Sequence, residues 1–241
     1  FTKRPNIIVF SRAFHGRTLM TMSMTSKKAY AVGMGPFPDG VYRAQFPYYY
    51  RNPEGMPQEA ALDYYLNSIK DVFEQCGPAD SIAAIVVEPL QGEGGFIPAP
   101  IEWVKAVRKI CDENGILLVA DEVQTGFCRT GRMFATQYWE EAGVQPDILA
   151  TAKSIAAALK TIEIMERDDL AGCSCEIGEK VSKRFNEWKE KYPVIGDVRG
   201  LGGMIGLEFV KDQKSKEPYP EFSAAVISGC AKKGLMIEGA G

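Results

Sequence analysis

ILLVADEVQTG, residues 116–126, and DILATAKS, residues 147–154, are the stretches that decide how this chain folds. Each opens on a short apolar run and then meets a charged side chain, Asp121 in the first and Lys153 in the second. Apolar runs of this length, bounded by turn residues, read as buried strands of a parallel sheet. Such sheets bind ligands at the carboxyl ends of their strands. The two motifs therefore deliver a carboxylate and an amine to one sheet edge from separate strands.

The flanking sequence extends the same pattern. SIAAIVVEPL (81–90) reads as another buried strand, running into QGEGG. PIEWVKAVRKICDENG (100–115) has apolar residues at 101, 104, 107 and 110 and closes on Gly115, so it reads as a helix. That strand-helix-strand unit has the length of a right-handed crossover, which makes strands 82–87 and 116–120 parallel. NIIVF (6–10) reads as a strand, the loop SRAFHGRT follows, and LMTMSMTS reads as a short helix. Residues 31–57, rich in Gly, Pro and aromatic side chains, read as long irregular structure, and 59–75 as an amphipathic helix. MFATQYWEEAG (133–143) is expected to be a further helix. Past residue 166 the character changes: EIGEKVSKRFNEWKEKY reads as a charged helix, VRGLGGMIGLEFV as a glycine-started strand and FSAAVISGCAKKG as a last helix. The expected fold class is α/β, with a mostly parallel sheet in a large domain over 1–166 and a smaller α+β C-terminal domain over 167–241.

Composition narrows the function. Hydrophobic residues make up 46 % of the 241 and charged residues 24 %, enough to bury a core without disulfides or metals. The net charge of −3, with Lys and Arg dispersed, argues against a nucleic-acid partner. No apolar run approaches the roughly 20 residues that span a bilayer, and no basic-then-apolar leader opens the sequence. Cysteines 76, 111, 128, 173, 175 and 230 form no C-x-x-C pair and are expected as buried free thiols in a reducing cytoplasm. His15 is the single histidine, which excludes a multi-histidine metal centre. A hydrolase would need His15 as its base, and no serine or cysteine stands in a nucleophile-elbow motif.

An acid and an amine at one sheet edge are what a pyridoxal phosphate enzyme requires: the amine forms a Schiff base with the cofactor aldehyde, and the acid holds the pyridine nitrogen protonated. Taken singly the two residues are ambiguous, since acids often close strands and most lysines are solvated. Gly92, Gly94 and Gly95 suit a phosphate cradle or an ordinary turn. Glu88 and Glu93 read as a glycosidase-like acid pair or as two unrelated loop acids. Arg17 reads as a carboxylate clamp or as a loop arginine.

FHGRT (14–18), GMGPFPDGVYRAQFPYYYR (33–51), VVEPLQGEGGF (86–96), LLVADEVQTGFCRTG (117–131), DILATAKS and GDVRGLGGMIGLEFV (196–210) stand in the order seen in the class III aminotransferases. The chain resembles the 4-aminobutyrate aminotransferase branch over nearly all of its length. The resemblance implies a fold-type I enzyme with pyridoxal 5'-phosphate as cofactor, working as a cytoplasmic homodimer with its sites at the subunit interface. It implies that Lys153 binds the cofactor and shuttles the proton as nucleophile and general acid/base. Asp121 would pair with the ring nitrogen, Val123 and Phe14 would cover the two ring faces, His15 would stand beside them, and Gln124 would hydrogen-bond the ring hydroxyl. Arg17 would grip the distal substrate carboxylate. Glu93 would let one site take both an ω-amino acid and 2-oxoglutarate.

Three departures from the family pattern stand out. A phosphate-binding Gly-Ser or Gly-Thr loop before residue 6, several dozen residues after TAKSIA, and a C-terminal arginine are all expected and not found in the 241 residues. The reaction implied is transfer of an amino group from an ω-amino acid such as 4-aminobutyrate to 2-oxoglutarate. An amino-acid racemase or epimerase, and an ornithine- or acetylornithine-type aminotransferase, are the alternatives. A non-catalytic binding module on the same fold is a third reading.

Overall fold

Five strands form the central sheet of the computed structural model, which describes residues 1–151 and 155–240. In chain order the elements are β1 (Asn6–Phe10), α1 (Leu19–Met24), α2 (Lys28–Ala31), β2 (Val41–Ala44), α3 (Gln58–Gln75), β3 (Ile82–Val87), β4 (Leu90–Gln91), β5 (Ile97–Pro98), α4 (Ile101–Asn114), β6 (Leu117–Asp121), α5 (Gln137–Glu140) and β7 (Ile148–Ala150). The strand order is β2-β1-β3-β6-β7, and every pairing is parallel. The register sets Val87 beside Ala120 and Asp121 beside Ala150. All the carboxyl ends thus reach one edge, and the loops that leave them carry FHGRT, EPLQGEGG and DEVQTG.

The sheet is held by what packs on it. Parallel strands need crossovers, and the crossover helices bury the face they cover. On α3 the residues Ala61, Tyr65, Ile69 and Val72 face inward, and on α4 Trp103, Val104, Val107 and Cys111 do so. Both sets keep helical spacing and meet Ile8, Phe10, Ile82, Ile85 and Leu118 of the strands in one core. Trp103 is fully buried, its ring edge-on to Phe10 at 4.9 Å and to Phe46 at 5.6 Å. Gly115, left-handed at φ +62°, ends α4 and turns the chain straight into β6.

The remaining elements are α6 (Ile155–Arg167), α7 (Leu170–Lys191), β8 (Ile195–Leu201), β9 (Met204–Phe209) and α8 (Pro220–Lys232). The glycine-rich segment 198–210, read as one strand, is an antiparallel hairpin: Leu201 pairs with Met204 across a turn of Gly202 and Gly203. Gly202 has φ +52°, and a Cβ there would lie 2.3 Å from the backbone of Thr130, so only glycine fits. Helix α7 begins at Leu170 rather than 176 because the Asp169 side chain caps it, accepting the Gly172 N–H.

Four further expectations change. Residues 31–57 hold a strand, β2, whose ladder partner β1 lies some 30 positions earlier in sequence, out of reach of local pattern. The helix read at 133–143 is one turn, Gln137–Glu140, closed by the left-handed Gly143. The strand before Lys153 is not buried: β7 is the edge of the sheet, and Ile148 and Leu149 are 48 % and 37 % exposed. Of the six cysteines, all free, Cys111 and Cys128 are buried, whereas Cys76 and Cys173 are exposed.

Replacing Trp103 by Ala should cost ~3–5 kcal/mol, since it removes a fully buried indole and leaves a cavity between α4 and β1. Urea unfolding measures this directly; a loss below ~1 kcal/mol would mean that the core does not depend on the packing of Trp103.

Candidate functional site at the carboxyl ends of the strands

The two acids that end β6 part company. Glu122 is fully buried and turns into the protein, where its carboxylate accepts from Thr125 Oγ1 and, at 2.7 Å, from the Thr136 N–H. Asp121 stays at the sheet edge. Its Oδ1 accepts the Val123 N–H at 3.1 Å, and its Oδ2 lies 2.7 Å from His15 Nδ1. With the carboxylate ionised, Nδ1–H donates. The imidazole is almost wholly enclosed; the His15 backbone N–H donates to Thr25 Oγ1 at 3.0 Å, and the buried ring Nε2 has no hydrogen-bond partner among the described residues.

Glu88 completes this group from the end of β3. Its Oε1 accepts the Phe14 N–H at 2.9 Å and its Oε2 the Gly92 N–H at 3.2 Å. The carboxyl thereby ties the loop after β1 to the turn after β4. Burial pushes Glu88 up to about 7, against the opposing pull of His15 and of the two N–H donors, with Asp121 adding to the rise. Sequence reading weighed Glu88 only as half of an acid pair with Glu93. The usable signal was its position, because it ends β3 at the same sheet edge where Asp121 ends β6.

A second cluster gathers on the ring of Tyr30. Phe14 meets that ring edge-on at 5.4 Å, the Arg17 guanidinium lies 5.0 Å from its centroid, and Lys27 Nζ lies 5.4 Å from it. Lys27 also pairs with Glu93 at 2.9 Å, and this hydrogen bond leads the effects that raise the lysine's pKa. Among the described residues no carboxylate pairs with Arg17. Neither Lys27 nor Tyr30 was singled out from sequence; both sit in SKKAY, an unremarkable polar stretch until the fold sets it beside QGEGG. Glu93, Gln124 and Arg199 line a cavity of about 510 Å³ between that turn, the β8–β9 hairpin and α8. The Gln124 side chain lies across Gly92, where a Cβ would sit 1.3 Å from Gln124 Oε1, so a larger residue at 92 would displace Gln124.

The structure thus brings Asp121 and His15 together, and Phe14, Arg17 and Glu93 around Tyr30 and Lys27. Val123 is 47 % exposed at the same edge. Lys153 lies outside the described residues, three positions beyond β7. Among the described residues no group of His, Cys, Asp and Glu is arranged to hold a metal, and no helix is long and apolar enough to cross a membrane.

A parallel sheet whose strand ends gather ionisable groups beside a cavity is the small-molecule site of an α/β protein. The aminotransferase class-III family model matches residues 1–159 and 154–241, and the chain belongs to that family. It is 39 % identical over 277 aligned positions to a probable 4-aminobutyrate aminotransferase of Bacillus subtilis (strain 168), covering all of this chain and 63 % of that protein. It is 36 % identical to the 4-aminobutyrate aminotransferase GabT of Escherichia coli (strain K12), covering 98 % of this chain and 62 % of that one. An amine transaminase from an uncultivated Pseudomonas species, solved in its PLP-bound form, superposes with a TM-score of 0.89 at 28 % identity, covering 99 % of this chain and 63 % of that one. The chain therefore spans less than two thirds of the length of the relatives it matches.

The raised Glu88 predicts a pH signature. Because its folded value (about 7) lies above the ordinary 4.5, the fold favours the neutral carboxyl. Glu88 therefore costs nothing below pH 4.5, and its cost grows towards pH 7 and holds above it. Compared with Glu88→Gln, the wild type should lose on the order of 3 kcal/mol of unfolding free energy across that window. Urea titrations of both proteins from pH 4 to 8 measure the difference, and a pH-independent gap would contradict it.

Proposed function

We propose that this chain is the greater part of a pyridoxal-phosphate-dependent aminotransferase that moves an amino group from an ω-amino acid to 2-oxoglutarate. The observation that carries this reading is the strand-end carboxylate of Asp121, largely shielded, bonded to a buried imidazole and flanked by an exposed apolar Val123. Among the described residues each Asp121 oxygen has a single hydrogen-bond partner, which leaves it acceptor capacity for a ring N–H. Those donors and acceptors fit the ring end of the cofactor.

Bound there, pyridoxal phosphate would supply an aldehyde that condenses with amines and a protonated pyridine that withdraws electrons from the substrate carbon. The chain's own residues do the rest. Asp121 would keep the ring nitrogen protonated, and the His15 N–H fixes which way that carboxylate faces. Val123 and Phe14 would sandwich the ring, and Gln124 would bond its hydroxyl. Lys153 would hold the cofactor and then move the proton at the substrate carbon. Arg17, without a carboxylate partner among the described residues, would take the distal substrate carboxylate. Glu93, held by Lys27, would tune the site between substrates carrying one carboxylate and two.

The names of the relatives support an ω-amino donor. We further take the chain to divide near residue 166, just before α6 gives way to α7, into a large and a small domain, and to act as a cytoplasmic homodimer.

Two outcomes follow for the full-length protein. Lys153→Ala should abolish both turnover and the visible absorbance of the bound cofactor; retained turnover refutes the assignment, and conversion of an L-amino acid to its D-form without a keto acid would favour a racemase. Arg17→Gln should raise KM for 4-aminobutyrate by ~10–100-fold with a much smaller change in kcat, because it removes binding common to ground and transition states. Steady-state kinetics with and without a distal carboxylate on the amine would reveal the difference, and equal losses for both amines would remove Arg17 from this role.

A further inference from the structure

We infer that Tyr30 is the positioning residue of the anion grip: its ring holds the Arg17 guanidinium in place while leaving that charge free for a substrate anion. Naming the anion as the distal carboxylate of an ω-amino acid rests on the proposed function; the hold of Tyr30 on Arg17 does not. Arg17 is fixed at both ends. At its base, the buried Thr25 hydroxyl accepts the His15 N–H and lies 3.0 Å from the Gly16 carbonyl, which sets the backbone just before Arg17. At its tip, the guanidinium lies over the Tyr30 ring, 5.0 Å from the centroid. The ring is itself braced, since Phe14 meets it edge-on at 5.4 Å and the Phe14 N–H is held by Glu88.

The same ring carries two cations that differ in one respect. Lys27 Nζ lies 5.4 Å from the centroid and is already neutralised by Glu93 at 2.9 Å. Arg17 has no carboxylate partner among the described residues, so its charge is uncompensated. A carboxylate in the place of Tyr30 would orient Arg17 equally well, but it would neutralise the guanidinium and compete with an incoming anion. An aromatic face attracts a cation through its quadrupole and brings no formal charge. The exposed Arg17 side chain would otherwise sample several rotamers and lose that freedom on gripping a carboxylate. Tyr30 removes part of that loss before the anion arrives. It also touches both Phe14, proposed to cover the cofactor ring, and Arg17, proposed to grip the anion, so one side chain fixes the spacing between them.

The test uses the full-length protein and glutarate, a dicarboxylate with neither amine nor keto group, so that binding is read without turnover. With 15N-labelled arginine, the Arg17 Nε–H resonance, assigned by its loss in Arg17→Gln, reports both the ring and the bound anion. In Tyr30→Leu that resonance should lose its ring-current shift, and the Kd for glutarate should rise about 3- to 10-fold. Tyr30→Phe, which keeps the aromatic face, should stay within about 2-fold of wild type. In an Arg17→Gln background Tyr30→Leu should add nothing. An unchanged Kd in Tyr30→Leu, or no response of Arg17 to glutarate in wild type, overturns the inference. So does an equal further loss in the Arg17→Gln background, which would route the effect through Lys27 and Glu93. Should Tyr30→Leu fail to fold, Tyr30→Met decides on the same terms. Steady-state kinetics supplies the matching split: in Tyr30→Leu the KM for 4-aminobutyrate rises while kcat holds, and an amine lacking the carboxylate shows neither change. Absence of amino transfer from every donor would sink the proposed function and leave the glutarate result standing. Turnover with an unchanged KM for 4-aminobutyrate in Tyr30→Leu would sink the inference alone.

Discussion

The parallel ladder between β3 and β6 is the constraint from which the rest of the molecule follows. Parallel strands cannot be joined by a tight turn, so the chain must leave the sheet, cross it as α4 and return in the same direction. Each return adds a strand end to the same edge. Glu88 and Asp121 come together because they stand at the same step of that ladder, each directly after the paired Val87 and Ala120. A slip of one residue would turn Asp121 inward and Glu122 outward, exchanging the buried structural acid for the one at the edge.

Those two adjacent acids show how the fold separates support from chemistry. Glu122 is satisfied by a hydroxyl and an amide and anchors the loop at Thr136. Asp121 meets the edge with one imidazole and one amide and keeps capacity to spare. The C-terminal hairpin is tied to the same edge by ions. Glu208 on β9 accepts from Tyr48, Arg51 and Arg199, and Arg199 in turn donates to the Gly95 carbonyl at 2.7 Å. Although burial opposes it, these donors hold the Glu208 carboxyl below its ordinary range. Breaking such a buried network by removing one partner leaves the others charged and unpaired. The turn that carries Glu93 is thus braced from both sides, by Glu88 beneath and Arg199 above.

Legibility in the sequence followed the range of the interaction. β3, α4 and β6 were readable because apolar spacing and Gly115 act within a few residues. β2 was not, because VYRA is four residues with an arginine among them and owes its strand geometry to β1. The hairpin at 195–209 was read as one strand because its glycines look alike in a list, while only the approach of Thr130 shows which one turns. Asp121 was legible as a strand-end acid, but its bond to His15 joins positions 106 apart. Lys27 and Glu93 are 66 apart, and nothing local marks either as the other's partner. The individual groups were visible in the chain; the pairing awaited topology.

The exposure of Ile148 and Leu149 gives β7 a meaning beyond its place in the order. An edge strand with apolar side chains on show is a template. Its outward row of amides and carbonyls will accept any extended segment that reaches it, whether from a neighbouring molecule or from the chain itself as it emerges. Natural sheets blunt such edges with charge or proline, and ILA offers neither. Among the described residues this open rim belongs to the same strand that leads to Lys153.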